Sequence, residues 1–355
     1  MKRYQQQIAL PEIGIAGQKK LTDAKVLVIG AGGLGCPVLQ HLAAAGVGCI
    51  GVVDGDIVEE SNLNRQIVYT LSDCGKNKAL TAAESIFKQN PEVKVIPISS
   101  FFTEENAFEI VDEYQIIVDC TDNLPVRYLI NDLALVKKIP MVYASMHRFE
   151  GQVSVFNYQL GPTYRCLFPE KENSKTTVSC NSTGVLGVLP NTLGLLQATE
   201  VLKIILGIGS VLSRKLLIYD GLNHQMQTLA IQKNPIEVQN GLLNGLAIAN
   251  RNKKAVKAIS TTEFYDALKE DSYLIVDLKE AYEASKWDAP NIQNVPLDQL
   301  ENYLKNYNKD QKIILFCQYG NKSQLAADYL MKNGFTSVFH LKNGIESVTE
   351  IPFKS

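Results

Sequence analysis

Between Val26 and Val53 the chain carries no charged residue, a run long enough on length alone to cross a bilayer. Its content excludes that reading, because it holds seven glycines, Pro37, Gln40 and His41. The apolar stretches inside it are short: VLVI, then Leu34 to Ala45, then CIGVV, as in a buried strand, a helix and a second buried strand. The same alternation continues through Lys76 to Lys88, VKVIPI, Glu104 to Tyr114 and IIVD. Such βαβ repetition predicts an α/β protein, with a parallel Rossmann-like sheet covered by helices on both faces.

Beyond Pro140 the strands MVYAS, GQVSVFNY, LLIYDG and MQTLAI are closely spaced, which predicts that the sheet becomes mixed. Leu189 to Leu206 reads as a buried helix, with Asn191 as a cap near its start and Gly207 as its stop. Residues 233–255 show no period and read as a linker. LIVD, IILFC and VFHL then alternate with helical stretches, Glu263 to Glu270 and Ser323 to Asn333 among them. The predicted domains are therefore 1–232 and a smaller α/β domain over 256–355, which suits 355 residues at about 150 per domain. Lys plus Arg number 35 against 37 for Asp plus Glu, so no basic surface marks a nucleic-acid binder. The N-terminus lacks a signal-peptide pattern, and seven widely spaced cysteines suit a reducing compartment. A cytoplasmic protein, neither spanning nor anchored to a membrane, is expected.

Gly30, Gly32, Gly33 and Gly35 follow the first strand and open a helix, so the loop can turn tightly and present phosphate to the helix N-terminus. Asp54 ends the next strand, where an acid accepts hydrogen bonds from a ribose hydroxyl. To this point a dehydrogenase fits as well. The residues after Asp54 suit a triphosphate better: Ser61, Asn62, Leu63, Asn64 and Arg65, then Lys78, set amides and two cations shortly after the acid. Asp122 and Asn123 end a further strand, where a carboxylate can hold the Mg²⁺ of ATP, or where both residues simply cap a helix.

RYQQQIALPEIGIAGQKKL, VLVIGAGGLGCPVLQHLAAAGVG, VDGDIVEESNLNRQIVY, GKNKA, VDCTDNLPVRYLIND, FEGQVSVF and GVLGVLPNTLGLLQATEVLK occur in that order. Together they resemble the adenylating enzymes of molybdopterin and thiamine biosynthesis, relatives of ubiquitin-activating E1 enzymes, over about residues 3–232. The resemblance implies that ATP activates the C-terminal Gly-Gly carboxylate of a ubiquitin-like sulfur-carrier protein as an acyl-adenylate. It implies that Gly33 approaches the nucleotide, Asp54 binds ribose, Asn62, Arg65 and Lys78 contact phosphates, and Asp122 coordinates Mg²⁺. It also implies a homodimer. Where relatives carry RYxRQ, whose arginine reaches the partner subunit's ATP site, this chain has Gln6. Many relatives bind zinc through two CxxC pairs. Here the first reads Thr163-Tyr164-Arg165-Cys166 and no cysteine lies between Ile231 and Cys317, so no structural zinc is expected. Cys180 matches a cysteine that several relatives place on a crossover loop and that can bond to the carrier; a thiol with no role is the alternative.

Cys317 follows the strand IILF and is trailed by Gln318-Tyr319-Gly320-Asn321-Lys322-Ser323 and a helix. A loop of this kind turns backbone N–H groups toward the sulfur, while the helix N-terminus favours a thiolate and Ser323 occupies a capping position. The segment resembles a rhodanese domain over about residues 256–348. That implies a persulfide on Cys317, loaded by a donor such as a cysteine desulfurase. Lys279, Asp288 and Asn343 depart from the usual arginine, histidine and glycine. The reading is thus an adenylyltransferase with sulfur transfer by its second domain. The alternatives are an E1-like enzyme for another ubiquitin-like partner or a small carboxylate, and a scaffold without turnover.

Overall fold

In the first strand, β1 (Lys25–Ile29), Val26 and Val28 pack into one apolar cluster while Leu27 and Ile29 pack into another. Burial on both faces is what a central parallel strand with helices on each side requires. The computed structural model describes residues 2–170, 184–252, 257–279 and 292–348, in two compact units, 1–252 and 253–355. Cys180 and Asp288 lie outside the described residues.

The first unit runs α1 (Gln5–Ile8), α2 (Gly14–Asp23), β1, α3 (Gly35–Ala45), β2 (Cys49–Val53), α4 (Lys78–Gln89), β3 (Lys94–Ile98), α5 (Ala107–Val111), β4 (Ile116–Asp119) and α6 (Leu124–Lys137). It continues with β5 (Met141–His147), β6 (Glu150–Phe156), α7 (Tyr164–Leu167), α8 (Val188–Leu206), β7 (Lys215–Asp220), β8 (Gln225–Ala230) and α9 (Pro235–Asn252). The sheet order is β3-β2-β1-β4-β5-β6-β7-β8, parallel through β5 and antiparallel from β5 onward. The strand order reverses at β1, whose neighbours are β2 and β4. A crevice for ligand opens at that point, outside the carboxyl ends of the strands.

Helices α2, α3, α4 and α8 contribute to one cluster, α5, α6 and α9 to the other. Two local expectations are corrected. The stretch read as a linker contains α9, which packs on α6; a Cβ on Gly245 would lie 2.3 Å from Asp132 O, so the glycines that break the apolar period let the two helices approach closely. Asn191 lies inside α8 and does not cap it: its side-chain amide donates to Arg65 O at 3.0 Å and Gly187 O at 3.1 Å.

The second unit holds β9 (Lys257–Ile259), α10 (Thr261–Ala267), β10 (Tyr273–Asp277), β11 (Ile292–Asn294), α11 (Leu300–Leu304), β12 (Lys312–Phe316), α12 (Asn321–Lys332) and β13 (Val338–Leu341). All five strands are parallel, in the order β11-β10-β12-β13-β9. Among the described residues no helix is long and apolar enough to cross a membrane.

Candidate functional site

At the switch point of the first sheet lies a cavity of about 860 Å³. Its floor is the turn between β1 and α3, and the turn is tight for a definite reason. A Cβ on Gly35 would sit 2.0 Å from Gly30 O, so no side chain fits where α3 begins. Asp54, at the end of β2, closes the turn from the side: its Oδ2 accepts from Ala31 N–H at 2.8 Å and its Oδ1 from Asp56 N–H at 2.9 Å. Burial pushes the Asp54 carboxyl up, and these two N–H groups and Lys78 pull it partly back. A carboxylate has about four acceptor positions, so Asp54 retains capacity for a ligand hydroxyl.

Arg65 and Lys78 both line the cavity. Lys78 is buried at the first position of α4, whose cap is Asn77, and its Nζ lies 3.3 Å from Asp56 Oδ2. Arg65 donates through Nη1 to Ser61 O at 3.1 Å and to Asn64 Oδ1 at 3.0 Å. On the opposite side the loop after β4 supplies Asp122 and Asn123. Asn123 caps α6, its Oδ1 accepting from Val126 N–H at 3.2 Å, which leaves Asp122 as the free carboxylate. Asp122 makes no hydrogen bond or ion pair with any described residue.

Thus Gly30, Gly32, Gly33, Asp54, Ser61, Asn62, Arg65, Lys78, Asp122 and Asn123 come together around one space. Gly35, Leu63 and Asn64 do not line it: Gly35 packs against the turn, Leu63 against the core, and Asn64 against the Arg65 guanidinium. Phe101, Arg127 and Arg148 are among the lining residues that the sequence did not single out, while Gln66 was read only as the end of the Ser61–Gln66 stretch. Gln66 is buried with its Oε1 unpartnered, Phe101 stands exposed beside Gly55, and Arg148 lies on the β5–β6 turn. Arg127, in the first turns of α6, donates to Thr121 O at 2.6 Å and Ser145 Oγ at 3.1 Å, and its Nε lies 3.5 Å from the buried Asp119. A cation so near a helix N-terminus opposes the dipole, and that was the available signal.

For magnesium the donor set fits: one unpaired carboxylate beside a phosphate cradle suits an ion that keeps water and phosphate oxygens as its other ligands. For zinc it does not. Cys166 Sγ accepts from Thr163 N–H at 3.4 Å and Asn234 N–H at 3.3 Å, and among the described residues no three His, Cys, Asp or Glu side chains converge. Beside it Arg165 pairs with Asp132 through two 2.7 Å bonds, so ionic and hydrogen-bond contacts hold this turn.

In the second unit Cys317 is buried at the end of β12. Its Sγ accepts from Gly320 N–H at 3.2 Å and Ser323 N–H at 3.4 Å, the geometry of an anion-stabilising loop. Gly320, at φ 89, is the residue that caps α12; Ser323 sits inside the first turn and its hydroxyl donates to Gly320 O at 3.0 Å. That corrects the expected capping role of Ser323. Asn343 takes φ 62, a left-handed conformation asparagine tolerates, which accounts for its replacing a glycine. Lys279 is buried, with Nζ 3.9 Å from Asp277.

The fold and cavity define a doubly wound α/β unit built around an anion cradle, carried on the same chain as a thiol-loop α/β unit. The ThiF family model matches residues 4–238 and the rhodanese-like domain model residues 260–350. The chain is 35% identical to adenylyltransferase and sulfurtransferase MOCS3 of Drosophila sechellia, over 95% of this chain and 80% of that protein. It is 47% identical to the sulfur carrier protein adenylyltransferase of Thermus thermophilus, over 66% of this chain and 89% of that one. Escherichia coli MccB, solved with ATP, superposes with a TM-score of 0.55 at 26% identity, covering 62% of this chain and 66% of that one. The chain belongs to the ThiF family and carries a C-terminal rhodanese-like domain.

Proposed function

We propose that this chain adenylates the C-terminal glycine carboxylate of a ubiquitin-like sulfur carrier with ATP and supplies sulfur from Cys317. The observation that carries it is the cavity itself, where the glycine turn, Asp54, Arg65, Lys78 and Asp122 converge at the strand-order switch. Asp54 accepts from the ribose, and Asn62, Arg65 and Lys78 face the phosphates. The carboxylate is already the nucleophile, so catalysis is positioning plus neutralisation of charge. Its oxygen attacks the α-phosphorus, the bond to the bridging oxygen breaks, and the electron pair leaves on pyrophosphate. Arg65 and Lys78 neutralise the leaving group. Asp122 would hold Mg²⁺, which supplies further neutralisation when bound.

Sulfur transfer depends on the loop around Cys317. Its thiolate takes a sulfur atom from a persulfide donor such as a cysteine desulfurase. The terminal sulfur then attacks the acyl carbon and AMP leaves; a second thiol attacks the Cys317 sulfur of the acyl disulfide, the thiocarboxylate departs, and the disulfide left on Cys317 is reduced by an external thiol. The protein works as a homodimer in the cytoplasm. ATP–pyrophosphate exchange that depends on a Gly-Gly-ended carrier tests the first step. Exchange absent with every carrier from the same genome, while ATP still binds, would replace this reading with the scaffold one, for which Gln6 is the motive.

A further inference from the structure

The turn between β5 and β6 has two residues: His147 pairs with Glu150, leaving Arg148 and Phe149 between them. Arg148 lies at φ 54, a left-handed value that such tight turns ordinarily give to glycine or asparagine. Its surroundings enforce the conformation. Leu186 N–H donates to Arg148 O at 3.3 Å, and Gly221 N–H donates to Phe149 O at 2.8 Å. A strained residue held this way points to a use for its side chain.

Arg148, an exposed residue, is among those that line the cavity. The other lining cations are engaged: Lys78 with Asp56, Arg65 with Ser61 and Asn64, Arg127 with Asp119 and Thr121. Arg148 alone among these four has no hydrogen bond or ion pair with a described residue through its side chain. The adenylation chemistry brings two anions into this space. The triphosphate has the glycine turn, Arg65 and Lys78; the attacking carboxylate must approach against the triphosphate's charge with no cation yet assigned to it.

We propose that Arg148 is the receptor for the carrier's terminal carboxylate, holding it by a charge-assisted hydrogen bond for attack on the α-phosphorus. The assignment rests on the adenylation reading. It explains why an arginine occupies a turn position that glycine would fill with less strain.

The test is ATP–pyrophosphate exchange on the full chain with the Gly-Gly-ended carrier that wild type activates, comparing Arg148→Ala, Arg148→Gly and Arg148→Lys. Glycine satisfies the turn and removes the charge, so it separates the two roles. Loss of a charge-assisted contact is expected to raise the carrier KM about tenfold or more in the Ala and Gly variants, with the ATP KM within about twofold of wild type. Lysine should recover part of that loss, and Arg148→Gly should melt no lower than wild type. A wild-type carrier KM in Arg148→Gly would overturn the assignment, since the turn alone would then matter. An ATP KM rising as much as the carrier KM would also overturn it, giving Arg148 to the triphosphate. Wild type without carrier-dependent exchange would overturn the adenylation reading, and this assignment with it.

Discussion

Replacing Arg127 with methionine strands a carboxylate inside the sheet. Asp119 is fully buried; its Oδ1 accepts from Thr121 N–H at 3.0 Å and Oγ1 at 2.7 Å, while its Oδ2 has no hydrogen bond and faces Arg127 Nε at 3.5 Å. That separation makes the guanidinium's contribution to Oδ2 mainly coulombic. Burial pushes the Asp119 carboxyl up, and Arg127 and Thr121 pull it back. Removing one member of a buried pair costs roughly 3–5 kcal/mol, because the other charge is left without compensation. The direction of that cost sets its pH dependence. A carboxyl whose folded pKa lies above its unfolded value costs stability while ionised, and that cost fades as pH falls through the folded pKa. Without Arg127 the folded pKa rises further, so the deficit of Arg127→Met should be largest at neutral pH and shrink on acidification. Urea unfolding followed by circular dichroism at neutral and acidic pH measures it, with Asp119→Asn/Arg127→Met expected to regain most of the loss at neutral pH. A single variant within about 1 kcal/mol of wild type at neutral pH would refute the reasoning, the usual range for a surface substitution being about half that.

Asp122→Ala should abolish pyrophosphate exchange yet leave the melting temperature unchanged, since Asp122 has no partner among the described residues; near-normal exchange removes the metal assignment. Cys317→Ser should keep exchange and lose thiocarboxylate formation, and unchanged product in a persulfide assay would make the second unit dispensable. Gly35→Ala forces a Cβ to 2.0 Å from Gly30 O, so it should destabilise by roughly 1–3 kcal/mol or more and weaken ATP binding, as read by calorimetry. On the proposed reading Asp54 accepts from the ribose as a carboxylate, so affinity should be present above its pKa and lost as pH falls through it. Because burial raises that pKa, the loss should begin at higher pH than for an exposed aspartate and be missing in Asp54→Asn.

The sheet and its edge were readable because each parallel strand is a short apolar run buried on both faces, and because Gly30 to Gly35, Asp54 and Asp122 end three such runs. The helix α9 was not readable, since Gly241 and Gly245 are packing residues against α6 and interrupt the pattern that marks a helix. Asn191 looked like a cap by type, yet its amide serves the Arg65 carbonyl from another element, a contact no local spacing encodes. Arg148 escaped for a similar reason: a left-handed φ at an arginine has no sequence signature. In the second unit the Cys317 loop was legible from its glycine and serine spacing, although Ser323 steers the sulfur with its N–H and does not cap the helix.

Intact-mass spectrometry of Gly-Gly-ended carriers from the same genome tests the central claim most directly, each carrier being mixed with the full chain, Mg-ATP and then a persulfide donor. One carrier should first gain AMP and then carry sulfur in place of a terminal oxygen, with the second change missing in Cys317→Ser. No mass change in any carrier, with ATP bound, would contradict it.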